Sequence, residues 1–200
     1  MKEIEVKGQK RTDLGKKAAK AMRKEGLIPC NLYGEAKNAD GAPEALSIAC
    51  PMSELRKIVY TPHIYVIKLV IDGEERTAIL KELQFHPVTD ALLHVDFYEV
   101  TDEKPIVMGV PVAPQGLAAG VRAGGKLVTM VRKLNVRAPY AAIPEKLFID
   151  VTNLELGKSI KCGELSFEGL ELVTPKEVVV VSVQMTRAAR GAAAAAAAGK

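Results

Sequence analysis

The amino-acid sequence predicts a mainly β protein with short helices, in two domains: an N-terminal closed or nearly closed antiparallel barrel and a second, nearly all-β domain. Three observations carry this. Several short strand patterns and two short helical ones fill the first 100 residues, which suits a barrel better than alternating βαβ units. From 105 to 186 no helical period of useful length appears, and Pro, Gly and Val dominate. Between these stretches, Thr101-Asp102-Glu103-Lys104-Pro105 reads as a boundary. The predicted organisation is 1–100, 101–186 and an Ala-rich tail over 187–200, with seven consecutive alanines at 192–198, expected to be flexible because so short a helix is marginal in water.

The elements follow in order. Glu3 to Lys7 alternates polar and apolar residues, a half-buried strand. Gly15 to Glu25, GKKAAKAMRKE, is rich in helix formers and stops at Gly26. Leu27 to Tyr33 is extended around Pro29 and expected to end at Gly34. Residues 35–44, EAKNADGAPE, have the chemistry of a loop. Ala45 to Cys50 reads as a strand, and Pro51 opens a second helix that spaces Leu55, Ile58 and Val59 on one side. Tyr65 to Asp72 and Arg76 to Leu83 flank Asp72-Gly73, a tight-turn signal, and so form a hairpin. His86-Pro87 breaks it, and Leu92 to Val100 forms another strand. In the second domain, Lys126 to Val136 and Val178 to Val183 are the strand-like runs.

Charge is distributed unevenly. The net charge is +4, yet residues 1–24 hold nine basic groups against three acids, a net +6, leaving the other 176 residues at −2. Such an excess at one end is the footprint of a polyanion-binding surface. On a helix, Lys16, Lys20, Arg23 and Lys24 fall on one side with Lys17 at its edge, and Ala18, Ala21 and Met22 on another that can dock on the barrel. The like-charge pairs Lys16/Lys20 and Lys20/Lys24 each cost an isolated helix about 0.2–0.5 kcal/mol, so the stripe points to an anionic partner.

Other chemistries find little support. No apolar run reaches the roughly 18 residues of a membrane span, and the N-terminus has no apolar signal segment, so the expected compartment is cytoplasmic. Cys30, Cys50 and Cys162 are scattered and odd in number, matching neither disulfides nor zinc-ligand pairs; they are read as small buried side chains. His94 and Asp96 share a strand face, but no nucleophile stands in an elbow context, so no enzyme is predicted. Gly120 to Gly125 lacks a phosphate-loop spacing. No metal, cofactor or small-molecule substrate is expected. With four Phe, five Tyr and no Trp, stacking strands are not evident; Tyr33, Tyr65, Phe97 and Tyr98 are read as core.

Arg11-x-x-x-Gly15-Lys16-Lys17-Ala18, Arg23-Lys24-Glu25-Gly26-x-Ile28-Pro29, Leu32-Tyr33-Gly34, Leu83-Gln84-Phe85-His86-Pro87-Val88 and Leu93-His94-Val95-Asp96-Phe97 form an ordered set. It resembles the bacterial large-subunit ribosomal proteins that bind 5S rRNA, in their two-domain general-stress (Ctc) form. The resemblance continues through Ala119 to Leu127, Ile143-Pro144-Glu145 and Leu156 to Ile160, and so spans about 1–186. It implies a six-stranded N-terminal barrel that docks on an irregular region of 5S rRNA, a C-terminal β domain and no catalysis. The implied partners are 5S rRNA, the large ribosomal subunit and neighbouring ribosomal proteins, in the cytoplasm, with no membrane. The candidate RNA-binding residues are Arg11, Lys16, Lys17, Lys20, Arg23, Lys24, Gln84, His86, His94 and Asp96. Two positions depart from the family pattern: Ala21 stands where a second adjacent basic residue is common, and Phe85 where some members carry Arg. The rival reading is a stress-associated binding module whose C-terminal domain engages a protein or another RNA.

Overall fold

The computed structural model describes residues 1–37, 43–101, 104–187 and 190, and the chain divides into two compact units. The first comprises Met1–Ile106 with Pro139–Ala141. The second comprises Val107–Ala138 and the described residues from Ala142 onward. Nearly all of the tail expectation, 187–200, lies outside the described residues.

The first unit runs β1 (Lys2–Lys10), α1 (Lys16–Lys24), β2 (Leu27–Lys37), β3 (Pro43–Pro51), α2 (Met52–Val59), β4 (Tyr65–Ile71), β5 (Glu74–Phe85) and β6 (Leu92–Glu99). These strands close into a six-stranded barrel in the order β1-β3-β2-β6-β5-β4. The barrel is mixed rather than antiparallel throughout. β1 with β4 and β2 with β6 are parallel, while the other four neighbouring pairs are antiparallel. The cause is α1. From β2 onward successive strands alternate in direction, but the helix between β1 and β2 returns the chain to start a second strand the same way, as a crossover does and a hairpin cannot. Four strands then point one way and two the other, so two seams must be parallel.

Alternation places one face of each strand inside. Val6, Leu32, Ile48, Ile67, Leu69, Val95 and Phe97 meet in the centre, each at most 2% exposed. Cys30 and Cys50 are buried there too; a side-chain hydrogen bond with Cys50, and then burial, push the Cys30 thiol pKa up. α2 adds Leu55 and Ile58 to this core. The β4–β5 hairpin turns on Asp72 (φ 50°) and Gly73 (φ 94°), the pair of positive φ values that a type I′ turn requires.

Gly34 does not end β2. The strand continues to Lys37 and β3 begins at Pro43, so the loop expected over 35–44 is shorter, and its centre, 38–42, lies outside the described residues. Gly34 has another role: its φ is 152°, and a Cβ there would sit 2.7 Å from the Glu99 carbonyl oxygen. The glycine lets β2 and β6 approach. Gly34→Ala should lower the melting temperature of the barrel, and an unchanged transition would show that β6 can shift to make room.

The second unit contains β7 (Ile106–Gln115), α3 (Ala119–Arg122), β8 (Lys126–Thr129), β9 (Lys133–Ala138), β10 (Leu147–Asp150), β11 (Ser159–Lys161), β12 (Glu171–Leu172) and β13 (Val179–Gln184). They form a four-stranded sheet, β10-β7-β9-β12, and a three-stranded one, β11-β13-β8. The run expected over 126–136 is therefore two strands in two sheets. The break falls at Met130–Arg132, where the Met130 and Val131 amides both donate to the Val180 carbonyl.

Candidate nucleic-acid interface

α1 lies on β2 with Ala18, Ala19, Met22 and Arg23 half-buried, while Lys16, Lys17, Lys20, Ala21 and Lys24 are exposed. This corrects the sequence reading in one respect: Ala19, not Ala21, completes the docked side. The free stripe is thus four lysines. Arg23 sits at its border, and its Nε donates to the Leu93 carbonyl oxygen at 3.0 Å. That oxygen is accessible for a structural reason. Gln84 pairs with His94 and Phe85 with Leu92, so Leu93 is the extra residue of a bulge in β6. The guanidinium fastens the end of α1 to that bulge. Arg11 is also half-buried; its amide donates to the Ser47 carbonyl at 2.9 Å and its Nη2 to the Asp13 carbonyl at 3.2 Å. The two arginines are anchored at the borders of the helix, and the lysines face solvent.

Beside the helix, the outer wall of the barrel carries a polar row. Registers place Ser47 opposite Asn31, Asn31 opposite Asp96, and Asp96 opposite Glu82, across β3, β2, β6 and β5. Gln84 stands opposite His94 in the adjoining position. His94 and Asp96 point outward because Val95 and Phe97, between and after them, are fully buried. The His94 Nδ1 and Asp96 Oδ1 lie 2.9 Å apart, close enough for charge pairing but without the alignment of a hydrogen bond. Each side chain is 19% exposed although Nδ1 and Oδ1 themselves are buried, so the pair presents only its other atoms to solvent.

The fold therefore brings Gln84, His94 and Asp96 onto one wall, beside the strand on which α1 rests. His86 is elsewhere. It occupies the β5–β6 connection, where its Nδ1 accepts from the amides of Val88 and Thr89, both at 3.3 Å, and its backbone bonds Ala91 and Asp90. Those contacts organise the turn.

Sequence reasoning missed several members of this wall. Asn31, Ser47 and Glu82 carry no motif and become relevant only through cross-strand register. Tyr33 and Tyr98, read as core, are opposite one another on the outer side, half-buried, with rings edge to face and centroids 6.0 Å apart. Burial, then the nearby Asp96, Glu82 and Tyr98, push the Tyr33 hydroxyl pKa up. A signal for Tyr98 was present: it continues the alternation His94, Asp96 on the same strand face. Among the described residues no group of three or more His, Cys, Asp and Glu could hold a metal, and no helix is long and apolar enough to cross a membrane.

The arrangement suits a folded polyanion. Lysines offer mobile cations for phosphates, and the wall offers a carboxylate, an imidazole, amides and hydroxyls for edges of bases. Comparison with known proteins places the chain in a family. Residues 6–97 match the Ribosomal L25p family and residues 105–187 the C-terminal domain of ribosomal protein TL5. A Phocaeicola vulgatus protein called large ribosomal subunit protein bL25 is 60% identical, over 97% of this chain and 98% of its own length. Proteins of the same name from Bacteroides thetaiotaomicron and Porphyromonas gingivalis are 55% and 52% identical over 98% and 96% of this chain, and 99% and 98% of their own lengths. A barrel with a basic helix on its wall, matched over nearly its whole length by such relatives, belongs to the ribosomal L25p family, in the long form that carries a TL5-type C-terminal domain.

Proposed function

We propose that this chain is a structural component of the large ribosomal subunit that binds 5S rRNA through the lysine face of α1 and the polar wall of β2, β5 and β6. One observation carries the reading: α1 rests on β2 and is tied by Arg23 to β6, the strands that bear Asn31, His94 and Asp96. Phosphate contacts and base-edge contacts thereby share one continuous surface. Ordinary A-form RNA hides its deep groove from side chains, so such a surface suits a distorted, non-Watson–Crick segment. In this division Lys16, Lys17, Lys20 and Lys24 meet phosphates. Gln84, His94 and Asp96 read bases. Arg11 and Arg23 hold the helix in place while lending it positive potential.

Co-sedimentation tests the assignment. The tagged chain should travel with large subunits through a sucrose gradient, and a folded chain that stays at the top would favour a free binding module instead. Within the protein, a fragment of residues 1–100 should bind 5S rRNA nearly as well as the whole chain and a fragment of 105–186 only weakly; equal affinities in a filter-binding assay would sink this division. Lys20→Ala should weaken binding to matched and mismatched RNAs alike and make the salt dependence shallower by about one counterion. A variant with selective loss on the native RNA would place Lys20 among the base-reading residues.

A further inference from the structure

The barrel carries an exposed aromatic pair that its core does not use. Tyr60, directly after α2, is 53% exposed, and Phe85, the last residue of β5, is 39% exposed. Their ring centroids lie 6.2 Å apart with the planes inclined at 57°. The core beneath is completed by Leu55, Ile58 and Leu92, so neither ring is needed to close the barrel. The surroundings are cationic. Arg56 and Lys57, one turn before Tyr60, are exposed in the last turn of α2, whose single acid, Glu54, is half-buried in the first turn. In the segment after Tyr60, Thr61 Oγ1 and His63 Nδ1 are buried without a hydrogen-bond partner. Phe85 follows Gln84 directly, so the pair begins where the polar wall ends.

Two half-exposed rings beside two cations are what a single unstacked nucleotide needs: a face for the base and charge for its phosphates. A protein partner would leave Arg56 and Lys57 to be matched by carboxylates, whereas RNA already lying on Gln84 and His94 brings phosphates with it. We propose that Tyr60 and Phe85 receive an unstacked RNA base, with Arg56 and Lys57 on the flanking phosphates, extending the RNA surface past the end of β5. This rests on the RNA reading of the wall for its partner class.

The test uses the full chain with 5S rRNA and with the single-stranded octanucleotide A8. A Tyr60→Ala, Phe85→Ala double variant should bind 5S rRNA about five- to tenfold more weakly and lose measurable affinity for A8, whereas Phe85→Tyr, which keeps the ring, should bind both as the parent does. Arg56→Gln should reduce the salt slope by about one counterion. Ultraviolet cross-linking of the unmodified chain to 5S rRNA, read by peptide mass spectrometry, supplies a check independent of variant folding: adducts should map to Tyr60 or Phe85. A double variant with parental circular dichroism and parental affinity for both RNAs, or cross-linking confined to other residues, overturns the proposal. So does a double variant that binds RNA normally but no longer travels with large subunits, which would make the patch a protein-docking surface. Failure here is distinguishable from failure of the RNA reading it rests on, because Asp96→Asn reports on the wall and Lys20→Ala on α1, and neither substitution alters Tyr60 or Phe85.

Discussion

Phe97→Ala should destabilise the barrel by about 3–5 kcal/mol, measured as a shift of the barrel's urea transition in the full chain. Phe97 is fully buried in β6, with Leu32 opposite it on β2 and Leu80 opposite it on β5. Its ring therefore fills the interior where a parallel and an antiparallel seam meet. Truncation removes the apolar area and leaves a gap that two rows of hydrogen-bonded strands resist closing. A loss below about 1 kcal/mol would mean that the interior collapses around the gap. The same substitution should weaken RNA binding, because Asp96 and Tyr98 are its neighbours on the opposite face of β6 and depend on its packing for their position.

Asp96→Asn should weaken binding to 5S rRNA by about 1–3 kcal/mol, on the order of five- to a hundredfold, with little change in salt slope. Two effects oppose one another. Replacing a carboxylate near phosphates relieves repulsion and, on electrostatics alone, tightens binding. Removing a charge-assisted acceptor loses a strong hydrogen bond and relaxes discrimination among RNAs. The loss of the acceptor is expected to outweigh the relief of repulsion. Asp96 is only 19% exposed, lies 2.9 Å from His94 Nδ1, and stands across the strands from Asn31 and Glu82, so its carboxylate is partly shielded from solvent and from counterions, where a charge-assisted acceptor is worth most. Tighter binding by the variant, in a titration at two salt concentrations, would show that Asp96 is a bystander.

What the sequence disclosed was whatever is written locally. The Asp72-Gly73 hairpin, the basic helix ending at Gly26 and the outward alternation of His94 and Asp96 each depend on residues within a few positions, and all three stand in the structure. The misreadings have a common physical origin in long-range pairing. Gly34 looks like a strand end until Glu99 is seen against it, and the Leu93 carbonyl that receives Arg23 Nε is presented only by a bulge in β6. Ala21 was placed on the docked side by an idealised wheel, but the helix is rotated so that Ala19 and Arg23 share the contact. Asn31, Ser47 and Glu82 became part of the wall through register alone, and Tyr60 meets Phe85 only because α2 closes the barrel beside the end of β5.

The two parallel seams have a consequence for how the molecule comes into being. They join Lys2 to Tyr65 and Cys30 to Val95, partners more than sixty residues apart, whereas the β2–β3 and β4–β5 hairpins are local. High contact order of this kind makes closure slow, since loop entropy is lost before the distant pairing compensates. During synthesis the hairpins can form early, but β2 has no outer neighbour until β6 has left the exit tunnel, and until then its edge is open to pairing with other chains. The wall that bears Asn31 and Asp96 does not exist before that moment. The excess of positive charge, by contrast, lies in the first two dozen residues, so under the proposed function the nascent polypeptide would be drawn to RNA well before it could tell one RNA from another.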